Sequence, residues 1–179
     1  GGATWNSTGL NWNMDDTRTT RGLRMAGNDD HVLLCAASSG VFRTTDGGTT
    51  WSQVRVGTFR DVEFQPGNDS IVYACSNTFH ISTDNGAHFL QQNNNGLPSG
   101  SLVGRMAIAV IPADPLTVYV LCSKQEDSGF LGLYRSADGG QSFTLCANAP
   151  NMFGYEDDGS DTGGQSWYDM ALAADPEDA

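Results

Sequence analysis

One five-point pattern occurs three times in this chain of 179 residues. Thr44, Asp46, Gly48, Thr50 and Trp51 recur as Ser82, Asp84, Gly86, His88 and Phe89, and again as Ser136, Asp138, Gly140, Ser142 and Phe143. Self-similarity over tens of residues marks a repeat architecture, and so it limits the fold more than composition does. Each position has a mechanical job in a hairpin turn. The Asp accepts backbone N–H groups, the Gly takes the left-handed backbone position, and the ring plugs the layer just past the turn. Gly2, Thr4 and Trp5 match the second half of the pattern, so residues 1–13 read as the last strand of a preceding unit.

Upstream of each copy lies a β-branched run, at 32–35, 71–75 and 118–122, and before it another strand-like stretch near Leu23, Val62 and Ile108. Short turns join the two, as in Gly27-Asn28-Asp29-Asp30, Pro66-Gly67-Asn68-Asp69 and Pro112-Ala113-Asp114-Pro115. Each unit is therefore four strands. The units are 20–56, 59–95 and 102–149, followed by an inserted loop at 150–166 and, at 167–179, the first strand of a further unit. Seventeen of the acids are Asp against four Glu, and Lys124 is the one lysine. That bias favours turns over helices. The chain reads as all-β, a segment of a β-propeller built of four-stranded antiparallel blades. Such a ring closes with ~4 to 8 blades, each covered by its neighbours. The expectation is thus a piece of a larger polypeptide, a propeller of about seven or more blades in one or two rings.

The stretch Thr44-Thr45-Asp46-Gly47-Gly48-Thr49-Thr50-Trp51 resembles the Asp-box (BNR) repeat, as does Ser136-Ala137-Asp138-Gly139-Gly140-Gln141-Ser142-Phe143. That repeat is found in β-propellers that include sialidases, xyloglucan hydrolases, sortilin-type receptors and large secreted proteins of Bacteroidetes. The middle copy departs from it by carrying His88 at a hydroxyl position. Trp167-Tyr168-Asp169 leading into Ala173-Ala174-Asp175-Pro176 is similar to a blade start in the large Bacteroidetes proteins. The resemblance implies that the repeats lie away from any ligand cleft. Asp46, Gly48, Trp51, Asp84, Gly86, Phe89, Asp138, Gly140 and Phe143 are then structural, with Trp5 also in the core.

A formal charge of −12 and a pI near 4.3 make nucleic acid a poor partner, since a polyphosphate needs a basic face. No apolar run reaches the ~20 residues of a membrane span. Cys35, Cys75 and Cys122 occupy one place in three successive units. Equivalent places in different blades lie beyond the ~7 Å that a disulfide tolerates, so the three read as buried free thiols. Cys146 reads as a fourth packed thiol. No CxxC spacing, nucleophile elbow, P-loop or dinucleotide fingerprint is present, and no metal site is expected from cysteine or histidine spacing.

Function is expected where the units differ. The long insertions, 91–104, 124–132 and 147–166, follow second or fourth strands, and so open on one face of the disc. Phe153, Tyr155, Trp167 and Tyr168 are the expected contacts for a glycan or an extracellular protein, since rings stack on sugars and anchor peptides. Calcium is conceivable at Asp157, Asp158 and Asp161, although their spacing is not that of an EF-hand. The preferred function is a non-catalytic, secreted or cell-surface scaffold or binding module. The alternative is part of a polysaccharide-degrading hydrolase, for which Glu126 or Asp127 facing Glu156 or Asp157 would supply the two carboxyl groups. A sialidase would instead need clustered arginines, and Arg18, Arg21, Arg24, Arg60 and Arg105 lie near blade starts.

Overall fold

A computed structural model describes residues 2–11 and 18–177. Its strands form three four-stranded antiparallel meanders. The first comprises β1 (Thr20–Met25), β2 (Leu33–Ala37), β3 (Gly40–Thr44) and β4 (Ser52–Val56). The second comprises β5 (Asp61–Gln65), β6 (Asn68–Cys75), β7 (Phe79–Ser82) and β8 (Leu90–Gln91). The third comprises β9 (Val103–Ile111), β10 (Asp114–Lys124), β11 (Phe130–Ser136) and β12 (Thr144–Ala147). Among the described residues, helix is confined to a 3-10 turn at Gly100–Leu102 and one turn, α1, at Ser166–Asp169. The all-β expectation is met.

Second strands are largely buried on both faces in their later parts, which is why 33–37 of β2, 71–75 of β6 and 118–122 of β10 read as continuous apolar runs rather than alternating ones. Their cysteines hold equivalent register: Cys35 opposite Leu23 and Phe42, Cys75 opposite Asp61 and Phe79, Cys122 opposite Met106 and Gly132. All three thiols are unpaired and fully buried. Burial pushes each thiol above its ordinary pKa, so they pack as small apolar groups. Cys146 differs from expectation. It lies on the outermost strand, β12, and is exposed.

The core lies between sheets rather than within them. Val32, Leu34 and Val41 of the first sheet pack with Val62, Val72 and Phe89 of the second. Tyr73, Phe79 and Ile81 of the second pack with Met106, Ile108, Val118 and Phe143 of the third. The pattern rings Phe89 and Phe143 thus plug the gap to the preceding sheet, Phe143 meeting Phe79 edge-on at 5.2 Å. Among the described residues no sheet precedes the first, and Trp51 is accordingly only partly buried, its indole N–H donating to the Gly48 carbonyl at 3.1 Å. Trp5 is 88% exposed rather than in the core, for the same reason.

Among the described residues, two expected strands are not formed. Of the trailing strand at 1–13, residues 2–11 are irregular and touch the first sheet through Gly9 N–H to the Gly48 carbonyl at 2.9 Å, while residues 1, 12 and 13 lie outside the described ones. Of the leading strand at 167–179, residues 170–177 are irregular beyond α1, tied by Ala113 N–H to the Pro176 carbonyl at 3.1 Å. The last two residues lie outside the described ones. A strand needs a ladder partner, and among the described residues no strand pairs with either segment.

Candidate functional site

The three pattern turns share one hydrogen-bond scheme. Thr44 Oγ1 donates to Asp46 Oδ1 at 2.7 Å and accepts from Gly48 N–H at 3.0 Å, while Asp46 accepts from Thr50 N–H at 2.8 Å and Thr50 Oγ1 at 2.7 Å. Ser136, Asp138, Gly140 and Ser142 repeat it. In the middle copy His88 Nδ1 stands 2.6 Å from Asp84 Oδ2, where the others have a hydroxyl. Hydrogen bonds to the charged form hold Asp46 and Asp138 down at about 2. Both oxygens of each carboxylate are taken up in the turn.

The opposite ends of the strands carry the insertions, and the loops there are joined. Gln125 N–H donates to the Leu102 carbonyl at 3.0 Å, linking the first insertion to the second. Gly164 N–H donates to the Asp127 carbonyl at 2.9 Å and Ser166 N–H to the Ser128 carbonyl at 3.3 Å, linking the second to the third. Within the third, Asn151 is the organising residue. Its Oδ1 accepts from Phe130 N–H at 2.9 Å, and its Nδ2 donates to the carbonyls of Asp161 and Gly163 at 3.0 and 2.8 Å. Sequence reasoning missed Asn151. Its Pro-Asn context marks only a turn, and its partners lie 10 to 21 residues away.

Of the expected contact residues, Tyr155, Trp167 and Tyr168 are 68%, 64% and 75% exposed, with the last two rings 5.6 Å apart. Phe153 is a correction. It is buried, 6.1 Å from Phe130 in an edge-on pair and packed with Leu121 and Met170, because the loop needs an apolar anchor over the sheet. Asp158 accepts from Ser160 N–H at 3.0 Å and Asp161 from Tyr155 N–H at 2.5 Å. The carboxylates of Asp157, Asp158 and Asp161 do not gather into one group. Among the described residues, the ligand-type side chains that do are Asp29, Asp30 and His31, exposed in the β1–β2 turn on the other face.

The suggested hydrolase residues Glu126 and Asp127 sit in the β10–β11 turn, and Glu156 and Asp157 at the exposed tip of the third insertion. Asp127 is engaged, accepting from Gly129 N–H at 2.9 Å and standing 3.9 Å from Lys124 Nζ. A different acid pair is more buried. Asp61 and Glu63 lie on first strand β5, and Arg24 of β1 donates through Nε to Glu63 at 2.8 Å. Asp61 accepts from Ile108 N–H of β9 at 3.0 Å, so one carboxylate ties the second sheet to the third. Burial raises both carboxyl pKa values despite these partners. The period-2 run Asp61-Val62-Glu63-Phe64-Gln65 carries the signal for this strand, but its partners are in other repeats.

Between the second and third sheets the insertion face holds a pocket of about 170 Å³, lined among others by Arg60, Arg105, Ser123, Lys124, Ser166 and Trp167. Arg105 donates to the carbonyls of Ser166 at 3.0 Å and Met170 at 3.2 Å, stapling the α1 turn to β9. Its Nε is buried and has no hydrogen-bond partner. Desolvation and the nearby Arg21 lower its pKa. Sequence spacing could not group these cations, since they come from the starts of β1, β5 and β9 and the end of β10.

Four-stranded antiparallel sheets packed in succession through their pattern rings, with first strands meeting across the sheets, define a β-propeller segment. Comparison with solved structures agrees. The chain is similar to an ancestral GH74 enzyme (15% identity, TM-score 0.59, 77% of this chain and 19% of that one) and to the GH74 enzyme of Niastella koreensis (22%, 0.53, 70% and 21%). It is also similar to YCF48 from Cyanidioschyzon merolae (16%, 0.50, 76% and 39%). These identities establish likeness of fold, and the chain spans about a fifth of each GH74 enzyme. No family model matches the sequence, and no curated protein does. No helix among the described residues is long and apolar enough to cross a membrane.

Proposed function

We propose that this chain is a non-catalytic segment of a secreted or cell-surface Asp-box propeller, whose blades are a scaffold and whose insertion face binds a glycan or an extracellular protein. The observation that carries this is a division of labour within the third insertion. Asn151, Phe153 and Asp161 hold the loop, whereas Tyr155, Trp167 and Tyr168 are left in solvent. Exposed rings on a rigid support supply contact area at little entropic cost. Of the two partners, a glycan suits them better, since adjacent tilted rings offer faces to sugar C–H groups and neighbouring acids and amides offer hydrogen bonds.

The test is glycan binding by the Tyr155→Ala, Trp167→Ala double variant. Affinity should fall roughly tenfold or more while the melting temperature stays within a degree or two. Binding that survives the double change would move the functional surface elsewhere. Cleavage of a β-glucan by the chain, abolished by Glu156→Gln, would replace this proposal with the hydrolase alternative.

A further inference from the structure

The pocket beside Trp167 runs against the charge of the whole molecule. The chain carries −12, yet three of its nine basic residues, Arg60, Arg105 and Lys124, line this one cavity, with Arg21 close enough to Arg105 to lower its pKa. Like charges gathered this way repel, and a fold retains them where an anion offsets the repulsion. Asp61 and Asp169 act on Arg105 only from beyond ion-pair distance, and desolvation together with Arg21 outweighs their pull. Among the described residues neither Arg60 nor Arg105 is in an ion pair, and of the three cations only Lys124 has an acid within 4 Å, Asp127 at 3.9 Å. Arg105 is further underused, its buried Nε having no acceptor. At about 170 Å³ the cavity falls below the ~300–1,000 Å³ that encloses a whole small molecule, so it suits the charged end of something larger. Ser123 and Ser166 add hydroxyls to its wall, and Trp167 stands at its edge, 64% exposed.

We infer that this pocket takes the anionic substituent, carboxylate or sulfate ester, of an acidic glycan whose ring stacks on Trp167. The inference rests on the glycan reading above and specifies the charge of the sugar. Arg60 and Lys124 contact the anion directly, and Arg105 supplies field and one N–H while its other nitrogens hold α1.

The test uses the chain with three oligosaccharide probes, a galacturonate tetramer, a sulfated galactan tetramer and a neutral galactan tetramer, with affinities measured at low and at physiological salt. At least one acidic probe should bind at least tenfold tighter than the neutral one, with the advantage shrinking as salt rises; which acid prevails distinguishes carboxylate from sulfate. The Arg60→Gln, Lys124→Gln variant should lose that advantage, about tenfold, and keep the neutral affinity, and Arg60→Lys with Lys124→Arg should restore it. Arg105 is left intact because its loss would release α1. Equal binding of acidic and neutral probes, unchanged by the double variant, overturns the anion site and leaves the glycan reading standing. If none of the three binds, but a hexapeptide with a free C-terminal carboxylate does and its amide does not, the glycan reading fails together with this assignment of the pocket. Binding of no probe overturns both.

Discussion

Buried histidine and exposed aspartate act on stability in the same direction here, over different pH ranges. His80 on β7 is 3% exposed, edge-on to Phe59 at 5.1 Å, with Nε2 3.0 Å from Thr78 Oγ1 and Nδ1 without a partner. Desolvation, helped by Arg55, lowers its pKa to about 4. A depressed folded value means that the unfolded chain takes up the proton first. Stability present above pH ~6.5 is therefore lost as pH falls toward ~4. The turn carboxylates Asp46, Asp84 and Asp138 follow below that, their folded values near 2 carrying a contribution that is present above pH ~4 and lost as pH falls through ~2. Asp61 and Glu63, raised by burial, act in the opposite sense. The difference between wild type and His80→Gln isolates the histidine. Thermal melts at pH 7, 5.5 and 4 should show the variant losing less stability than wild type over that range, by up to about 3 kcal/mol. Parallel curves would remove His80 as the source. The aspartates could be assigned from sequence because their partners lie within four residues; what buries His80 is a tertiary contact with Phe59, 21 residues away, and no local pattern records it.

At the scale of the turn, identical residues meet different neighbours. Gly86 and Gly140 both hold left-handed backbone, at φ +77 and +85, but an added Cβ at Gly86 would lie 2.7 Å from Leu34 Cδ1, and at Gly140 3.2 Å from Phe79 Cε1. Gly48, at φ +91, meets nothing closer than 3.7 Å. The backbone cost of Ala, about 1–2 kcal/mol, is common to all three, and overpacking adds about 1–3 kcal/mol only where a neighbouring sheet is pressed. Melting temperatures should therefore fall in the order Gly86→Ala, Gly140→Ala, Gly48→Ala, with Gly86→Ala the most damaging. Equal losses at the three positions would mean that the turn alone matters and that contact with the preceding sheet does not. The pattern itself was plain in the sequence, as were the strands around it, because turn chemistry and β-branched runs are local signals. Segments without a ladder partner were not: 2–11 and 170–177 carry strand-like residues yet stay irregular, and Ser166–Asp169 closes into a helical turn against Arg105.

Taken whole, the molecule faces the choice open to every repeat protein, between sheets that unfold one at a time and sheets that unfold together. The position of the core decides it. Two of its three apolar clusters straddle sheet boundaries, so no sheet can leave without exposing a neighbour's interior. Polar ties cross the same boundaries, with Arg43 Nη2 donating to Asn85 Oδ1 at 2.7 Å between the first and second sheets and Asp61 accepting from Ile108 N–H at 3.0 Å between the second and third. The buried thiols report on this from both ends, since Cys35 lies in the first sheet and Cys122 in the third. In urea both should become reactive to a maleimide at one concentration, coincident with the loss of the β signal in circular dichroism. Ile108→Ala opens a cavity at the boundary of the second and third sheets, at a cost of about 2–5 kcal/mol, and should lower the Cys35 and Cys122 midpoints equally although Ile108 is in the sheet of Cys122 alone. Labelling of Cys122 at lower urea than Cys35, or a shift of its midpoint only, would show the third sheet to be a separate unit, and the clusters at the boundaries too weak to couple it to the rest.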